Sequence, residues 1–123
     1  MEKLRHTGLG AQLVSTAFPR SPFVVMKFGG SSVSSAESWK TIAELVRQRI
    51  AEGLKPVLVH SALAGVSNVL QALPQLALQT GADEQVATIR RQHHKLAHEL
   101  GVDPMLCEPH FDELQELVSQ ISR

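Results

Sequence analysis

The 123-residue chain has no tyrosine, one tryptophan (Trp39) and one cysteine (Cys107). With so few aromatic rings, stacking on single-stranded nucleic acid has little to work with. One cysteine excludes an intrachain disulfide and fits a reducing, cytoplasmic compartment. Charge of one sign is not in surplus either. Twelve basic and twelve acidic side chains leave a formal net charge of zero, whereas a dedicated nucleic-acid binder carries a basic excess. A long hydrophobic run is also missing. The uncharged stretch 61–82 contains Asn68, Gln71, Pro74, Gln75 and Gln79, and a spanning helix needs about 20 mostly apolar residues. It reads as a buried helix of a soluble protein, so neither nucleic acid nor membrane is an expected partner. What is present is ordinary: 43% apolar and 20% charged residues, at a length that suits one domain with a core.

The zero balance hides a gradient. Residues 1–22 and 23–60 each sum to +2, 61–82 carry no charge, and 83–123 sum to −4. Residues 1–22, with Gly8, Gly10, Pro19 and Pro22 and no apolar period, read as a flexible N-terminal leader. Their basic charge, with Ser and Thr, also suits a transit peptide; a frayed terminus is the simpler reading. Residues 23–123 read as the folded part.

From Phe23 the periodicities sharpen. Phe23-Val24-Val25-Met26 is a short continuous apolar run, expected of a strand buried on both faces. Ser34, three residues before Glu37, predicts a capping box, and Trp39, Ile42, Ala43, Val46 and Ile50 follow at helical spacing. Gly53 is expected to stop that helix and Pro56 to lie in the turn beyond. Val57-Leu58-Val59 is a second buried-strand run. Strand, helix, strand over this length is a βαβ unit with parallel strands and a right-handed crossover. Val66, Val69, Leu70 and Leu73 mark a second helix that Pro74 is expected to kink or end. Residues 82–100 predict a third helix, stopped by Gly101 and Pro104. Phe111, Leu114, Leu117, Val118 and Ile121 predict a fourth. Two parallel strands make a poor sheet alone, so the α/β fold is expected to be helix-rich and incomplete.

Two segments carry chemistry. Lys27-Phe28-Gly29-Gly30-Ser31-Ser32 follows strand one, at the strand end where open α/β sheets bind ligands. Paired glycines let backbone N–H groups approach a phosphate, a helix start adds partial positive charge, and a lysine supplies a mobile point charge for phosphoryl oxygens. A tight turn beside a solvated lysine is the bland rival, and the order differs from the P-loop, whose lysine follows the glycines. Ser61-Ala62-Leu63-Ala64-Gly65-Val66-Ser67-Asn68 stands at the matching end of strand two. Its small residues leave room for a ligand and its hydroxyls suit a carboxylate; helix capping by Ser61 or Ser67 is the rival there.

Taken together, the two segments resemble the signatures of the aspartokinases, within the amino-acid kinase family. Lys27 to Val33 is similar to the family's Lys-Phe-Gly-Gly-Thr-Ser-Val, with Ser31 keeping the hydroxyl. Residues 61–68 are similar to its Ser-Ala-x-x-Gly-x-Thr-Asn, with Ser67 in place of threonine. The resemblance covers roughly residues 23–122. It implies the parallel βαβ start of a carbamate kinase-like domain, with Lys27 as the catalytic, phosphate-contacting lysine. Phe28, Gly29, Gly30 and Ser32 would join Lys27 around ATP, and Ser61 and Ser67 would lie in the L-aspartate region. The implied reaction converts ATP and L-aspartate, with Mg²⁺, to 4-phospho-L-aspartate and ADP, the first step towards lysine, threonine and methionine. The family's domain is more than twice this length, and its downstream glutamate motif, substrate arginine, catalytic aspartate and adenine pocket have no counterparts here. The expectation is therefore an N-terminal segment, inactive alone, whose parent is plausibly fused to diaminopimelate decarboxylase or homoserine dehydrogenase, the former preferred. The alternatives are a kinase of glutamate, acetylglutamate or a nucleotide, which the Ser-Ala-x-x-Gly segment disfavours, and a non-catalytic fragment forming a homo-oligomer through its open sheet or helix faces.

Other polar residues receive plainer readings. His94 and His98 sit one helical turn apart, but no His-Glu-x-x-His motif exists. With His93 they read as a solvated face beside Arg90, Arg91 and Lys95, and no metal site is expected. His60 reads as a hydrogen-bonded structural residue and Cys107 as structural. Asp112, Glu113 and Glu116 read as the wet face of the last helix.

Overall fold

A computed structural model of the chain describes residues 21–121; of the 1–22 leader reading, residues 1–20 lie outside them. Strand β1 (Phe23–Phe28) and strand β2 (Lys55–His60) flank helix α1 (Ala36–Ala51), and helices α2 (Val66–Gln79), α3 (Asp83–Leu100) and α4 (Glu108–Ile121) follow. Single 3-10 turns precede α1 (Gly30–Val33) and α4 (Pro104–Cys107). The strands are parallel, in a register that sets Val25 opposite Val57 and Phe28 opposite His60. The predicted βαβ unit and helix-rich α/β class are both present.

The strands are not buried on both faces. Along β1 exposed and half-buried residues alternate, and in β2 only Pro56 is half-buried. Val24, Met26 and Phe28 are the half-buried set, whereas Phe23, Val25 and Lys27 face outward. One face has a helical cover and the other has none among the described residues, so the apolar runs exceed what this segment buries.

Pro56 falls inside β2, opposite Val24, rather than in the preceding turn. Lys55 and Ser61 donate their N–H groups across to Pro22 and Phe28, so by strand alternation the nitrogen of Pro56 points to the free edge. A missing N–H costs nothing there. Pro74 likewise does not end α2, which runs through it to Gln79. Gly53 (φ 79°) and Gly101 (φ 68°) stop α1 and α3 as expected.

The core is mainly helical. Val33, Ile42, Leu63, Val66, Ile89 and Phe111 form one buried cluster, with Phe28, Trp39 and Cys107 packed against it. Leu73, Ala77, Ala82, Val86 and Val118 form a second between α2, α3 and α4. The uncharged 61–82 stretch thus supplies core, and none of the described helices is long and apolar enough to cross a membrane.

The histidine face is not uniformly solvated. His98 is exposed, but His93 and His94 are half-buried. His93 Nδ1 bonds the Ile89 carbonyl at 2.8 Å, and both rings stand edge-on to Phe111. His94 Nε2 meets Glu108 Oε1, and Arg90 reaches Asp112 at 2.9 Å. Apolar stripes alone do not reveal this polar seam between α3 and α4. Asp112, Glu113 and Glu116 are exposed, as read.

Candidate functional site

The two chemistry-bearing segments meet at the carboxyl ends of the strands. Ser61 donates its N–H to the Phe28 carbonyl at 3.1 Å, extending the ladder by one rung. Beyond that rung the loops touch through Gly30. A Cβ built there would stand 3.1 Å from the Ala62 carbonyl oxygen and 3.5 Å from Ala64 Cα and N. A side chain there would press on the Ala62 carbonyl, which would have to give by a few tenths of an ångström. Gly29 differs: a Cβ there meets nothing within 4 Å, and its φ of −79° suits any residue. Of the glycine pair, Gly30 packs loop on loop, and Gly29 has open space where a side chain would stand, while its carbonyl accepts from the Ser32 N–H at 3.0 Å.

Lys27 lies on the outward face of β1, and its side chain makes no ion pair or hydrogen bond with the described residues. Ser32 turns elsewhere. With Phe28, Ser38, Thr41, Ile42 and Leu45 it lines a recess of about 220 Å³ on the α1 side. Strand alternation sets Phe28 and Lys27 on opposite faces, so Ser32 and Phe28 group with the recess and Lys27 with the open face.

In the second segment, Gly65 takes a left-handed conformation (φ 82°) and serves as the N-cap of α2, without a side-chain cap. Glycine adopts this geometry at no steric cost. The hydroxyls of Ser61 and Ser67 are exposed and cap nothing. The rival capping role is therefore not taken up: the Val66 N–H that opens α2 donates to the Leu63 carbonyl at 3.1 Å, and the helix start has no side-chain cap. His60 sits at the border of this segment, its Nδ1 3.0 Å from the Ser61 carbonyl and its ring edge-on to Trp39.

The capping box at Ser34 is not formed. Ser34 closes the 3-10 turn with near-helical backbone (φ −93°, ψ −2°), whereas an N-cap needs extended backbone. Ser35 has it (φ −134°, ψ 150°) and accepts from the Ser38 N–H at 3.1 Å. The Ser34 hydroxyl instead donates to the Gly30 carbonyl and accepts from the Ala64 N–H at 2.7 Å. On the far side of that residue, Gln92 Nε2 of α3 donates to the Ala64 carbonyl at 3.2 Å. Neither contact is visible in the local pattern, because each joins residues about thirty positions apart. No group of three His, Cys, Asp or Glu side chains among the described residues could hold a metal ion.

A lysine and a glycine pair after one parallel strand thus stand against a small-residue loop and helix start after the next, at one end of the α/β sheet. Residues 22–120 match the amino acid kinase family, and the chain belongs to it. Within that family it is similar to aspartokinases. It is 39% identical over 103 residues to aspartokinase 2, chloroplastic, of Arabidopsis thaliana, a match covering 80% of this chain and 19% of the plant protein. It is 32% identical over 102 residues to the aspartokinase of Chlamydia trachomatis, covering 79% of this chain and 22% of the bacterial protein. Over 50 residues it is 40% identical to the aspartokinase of Rickettsia felis, covering 41% of this chain and 12% of that protein. The chain thus spans about a fifth of the length of the first two relatives, and the resemblance read from the two motifs is borne out.

Proposed function

We propose that this chain carries the phosphate loop and acceptor loop of an aspartate kinase, which transfers the γ-phosphoryl group of ATP to the side-chain carboxylate of L-aspartate. The observation that carries the reading is the junction of the two segments at one sheet end, with the Lys27 ammonium and the Gly29 N–H both without a partner among the described residues, while the Gly29 carbonyl accepts from the Ser32 N–H at 3.0 Å. Lys27 supplies a point charge for phosphoryl oxygens, and the Gly29–Gly30 backbone lets the phosphates approach. The uncapped start of α2, with Ser61 and Ser67, suits a carboxylate of the acceptor. The acceptor carboxylate is already ionised at neutral pH, so positioning and charge neutralisation carry the reaction rather than a strong base. Mg²⁺ would arrive on the nucleotide's phosphates. Among the described residues no other charged side chain contacts the two loops, and the 123 residues alone should bind nucleotide without turning it over.

Calorimetric titration with MgATP tests this. The chain should bind weakly, and Lys27→Ala should reduce affinity at least tenfold, the loss of one charge-assisted contact of about 1.5–3 kcal/mol. Equal binding by both proteins removes the role of Lys27. Aspartate-dependent ADP release by the pure chain would refute the claim that it does not turn over alone.

A further inference from the structure

We infer that Ser34 is a positioning residue that couples the phosphate loop to the acceptor loop, a reading that rests on the kinase function proposed above. The lysine–glycine motif ends at Val33, one residue short of this serine, so neither motif assigns it a role. Its hydroxyl stands between two backbone groups from different loops, the Gly30 carbonyl and the Ala64 N–H. One O–H donates to the first loop while the same oxygen accepts from the second, and such a chain of bonds polarises along its length. The second loop is fixed from its other side as well, because Gln92 donates to the Ala64 carbonyl. Ala64 is thereby held between the first loop and α3. The two loops also pack closely at Gly30, where an added Cβ would stand 3.1 Å from the Ala62 carbonyl oxygen.

A phosphate drawn to the Gly29–Gly30 backbone reorients the peptide whose carbonyl Ser34 holds. The Ala64 amide then moves with it, in the loop that carries Ser61 and leads into Ser67. By linkage, acceptor binding at the second loop tightens or loosens nucleotide binding at the first by the same factor. Ser34 touches neither ligand in this scheme; it acts through Gly30 and Ala64.

Amide spectra and hydrogen exchange of the ¹⁵N-labelled 123-residue protein, with and without MgATP, decide the matter. In the unaltered chain MgATP should shift the amide signals of Gly29, Gly30 and Ala64. Ser34→Ala should keep the Gly29 response, abolish that of Ala64, and speed Ala64 exchange about fivefold to tenfold, the effect of one net hydrogen bond. Ser34→Thr, which retains the hydroxyl, should restore both. Gln92→Leu should also speed Ala64 exchange while leaving the Ala64 response to MgATP in place. An Ala64 response that survives Ser34→Ala, or exchange that does not change, overturns the coupling. If MgATP shifts no amide in any variant, the kinase reading fails, and Ala64 exchange still decides whether Ser34 holds the loops together.

Discussion

The two strands and the inner faces of the helices treat the same kind of residue in opposite ways. Phe23 and Val25 in β1 are 56% and 68% exposed, and Val57, Leu58 and Val59 in β2 are all exposed. In the helices, Val86 is 1% exposed, Leu73 3% and Val118 4%. Apolar side chains stabilise a fold only in proportion to the area they remove from water. The helices therefore hold this structure together, while the sheet carries the candidate site without contributing much of the core. The site loops rest on the packed side, since Val33, Leu63 and Val66 all join the buried cluster around Ile89 and Phe111.

The largest test of this division is Phe111→Ala. Phe111 is buried where α4 meets α3, beneath both half-buried histidines and with the Arg90 guanidinium over its ring. Truncation leaves a cavity and removes the ring that seats the polar seam, a change costing about 3–5 kcal/mol. Against a domain stability of about 5–15 kcal/mol, urea titration should show a large fall in midpoint or outright unfolding. A loss below about 1 kcal/mol, within the range of ordinary surface changes and minor repacking, would mean that the helices are not the stabilising half.

The next effect separates the two glycines. Gly30→Ala drives a methyl group against the Ala62 carbonyl and the Ala64 backbone. Backbone cannot yield as a flexible side chain does, so the cost should be about 1–3 kcal/mol, read as a lowered urea midpoint. Gly29→Ala meets open space at an ordinary φ. It should be neutral or stabilise by about 0.4–1 kcal/mol through the unfolded chain, yet weaken MgATP binding where its methyl group fills the phosphate approach. If Gly29→Ala destabilised and Gly30→Ala did not, the division into packing glycine and ligand glycine would be reversed.

What the linear pattern revealed and what it concealed follow from the range of each interaction. The strands and the four helices were legible because periodicity and glycine placement act within a few residues. The stops at Gly53 and Gly101 were legible for the same reason. The meeting of the two motifs followed from the parallel βαβ connection, which sets both strand ends at one edge. Ser34 does not cap α1 because its hydroxyl is engaged by Ala64, thirty residues away, and the cap falls to Ser35. The buried-strand reading of β1 failed differently. Its apolar run records how much cover the strand can accept, and cover is supplied by other elements, of which the described residues provide only one side. His93 and His94 were read as solvated because their burial depends on Phe111 and Glu108 arriving from α4.

The smallest expected effect bears most directly on the open sheet. Val25→Thr keeps the β-branched shape that suits a strand and exchanges a methyl group for a hydroxyl. If Val25 stands in water as the structure has it, the hydroxyl is solvated and the change should stay within about 0.5 kcal/mol by urea titration. If that face were covered in solution, the same hydroxyl would be buried without a partner at a cost of about 1–3 kcal/mol. It would then become concentration-dependent if the cover were a second copy. A cost above about 1 kcal/mol would therefore end the contrast between strands and helices, and a negligible one would leave the sheet as an open surface carrying the site at its edge.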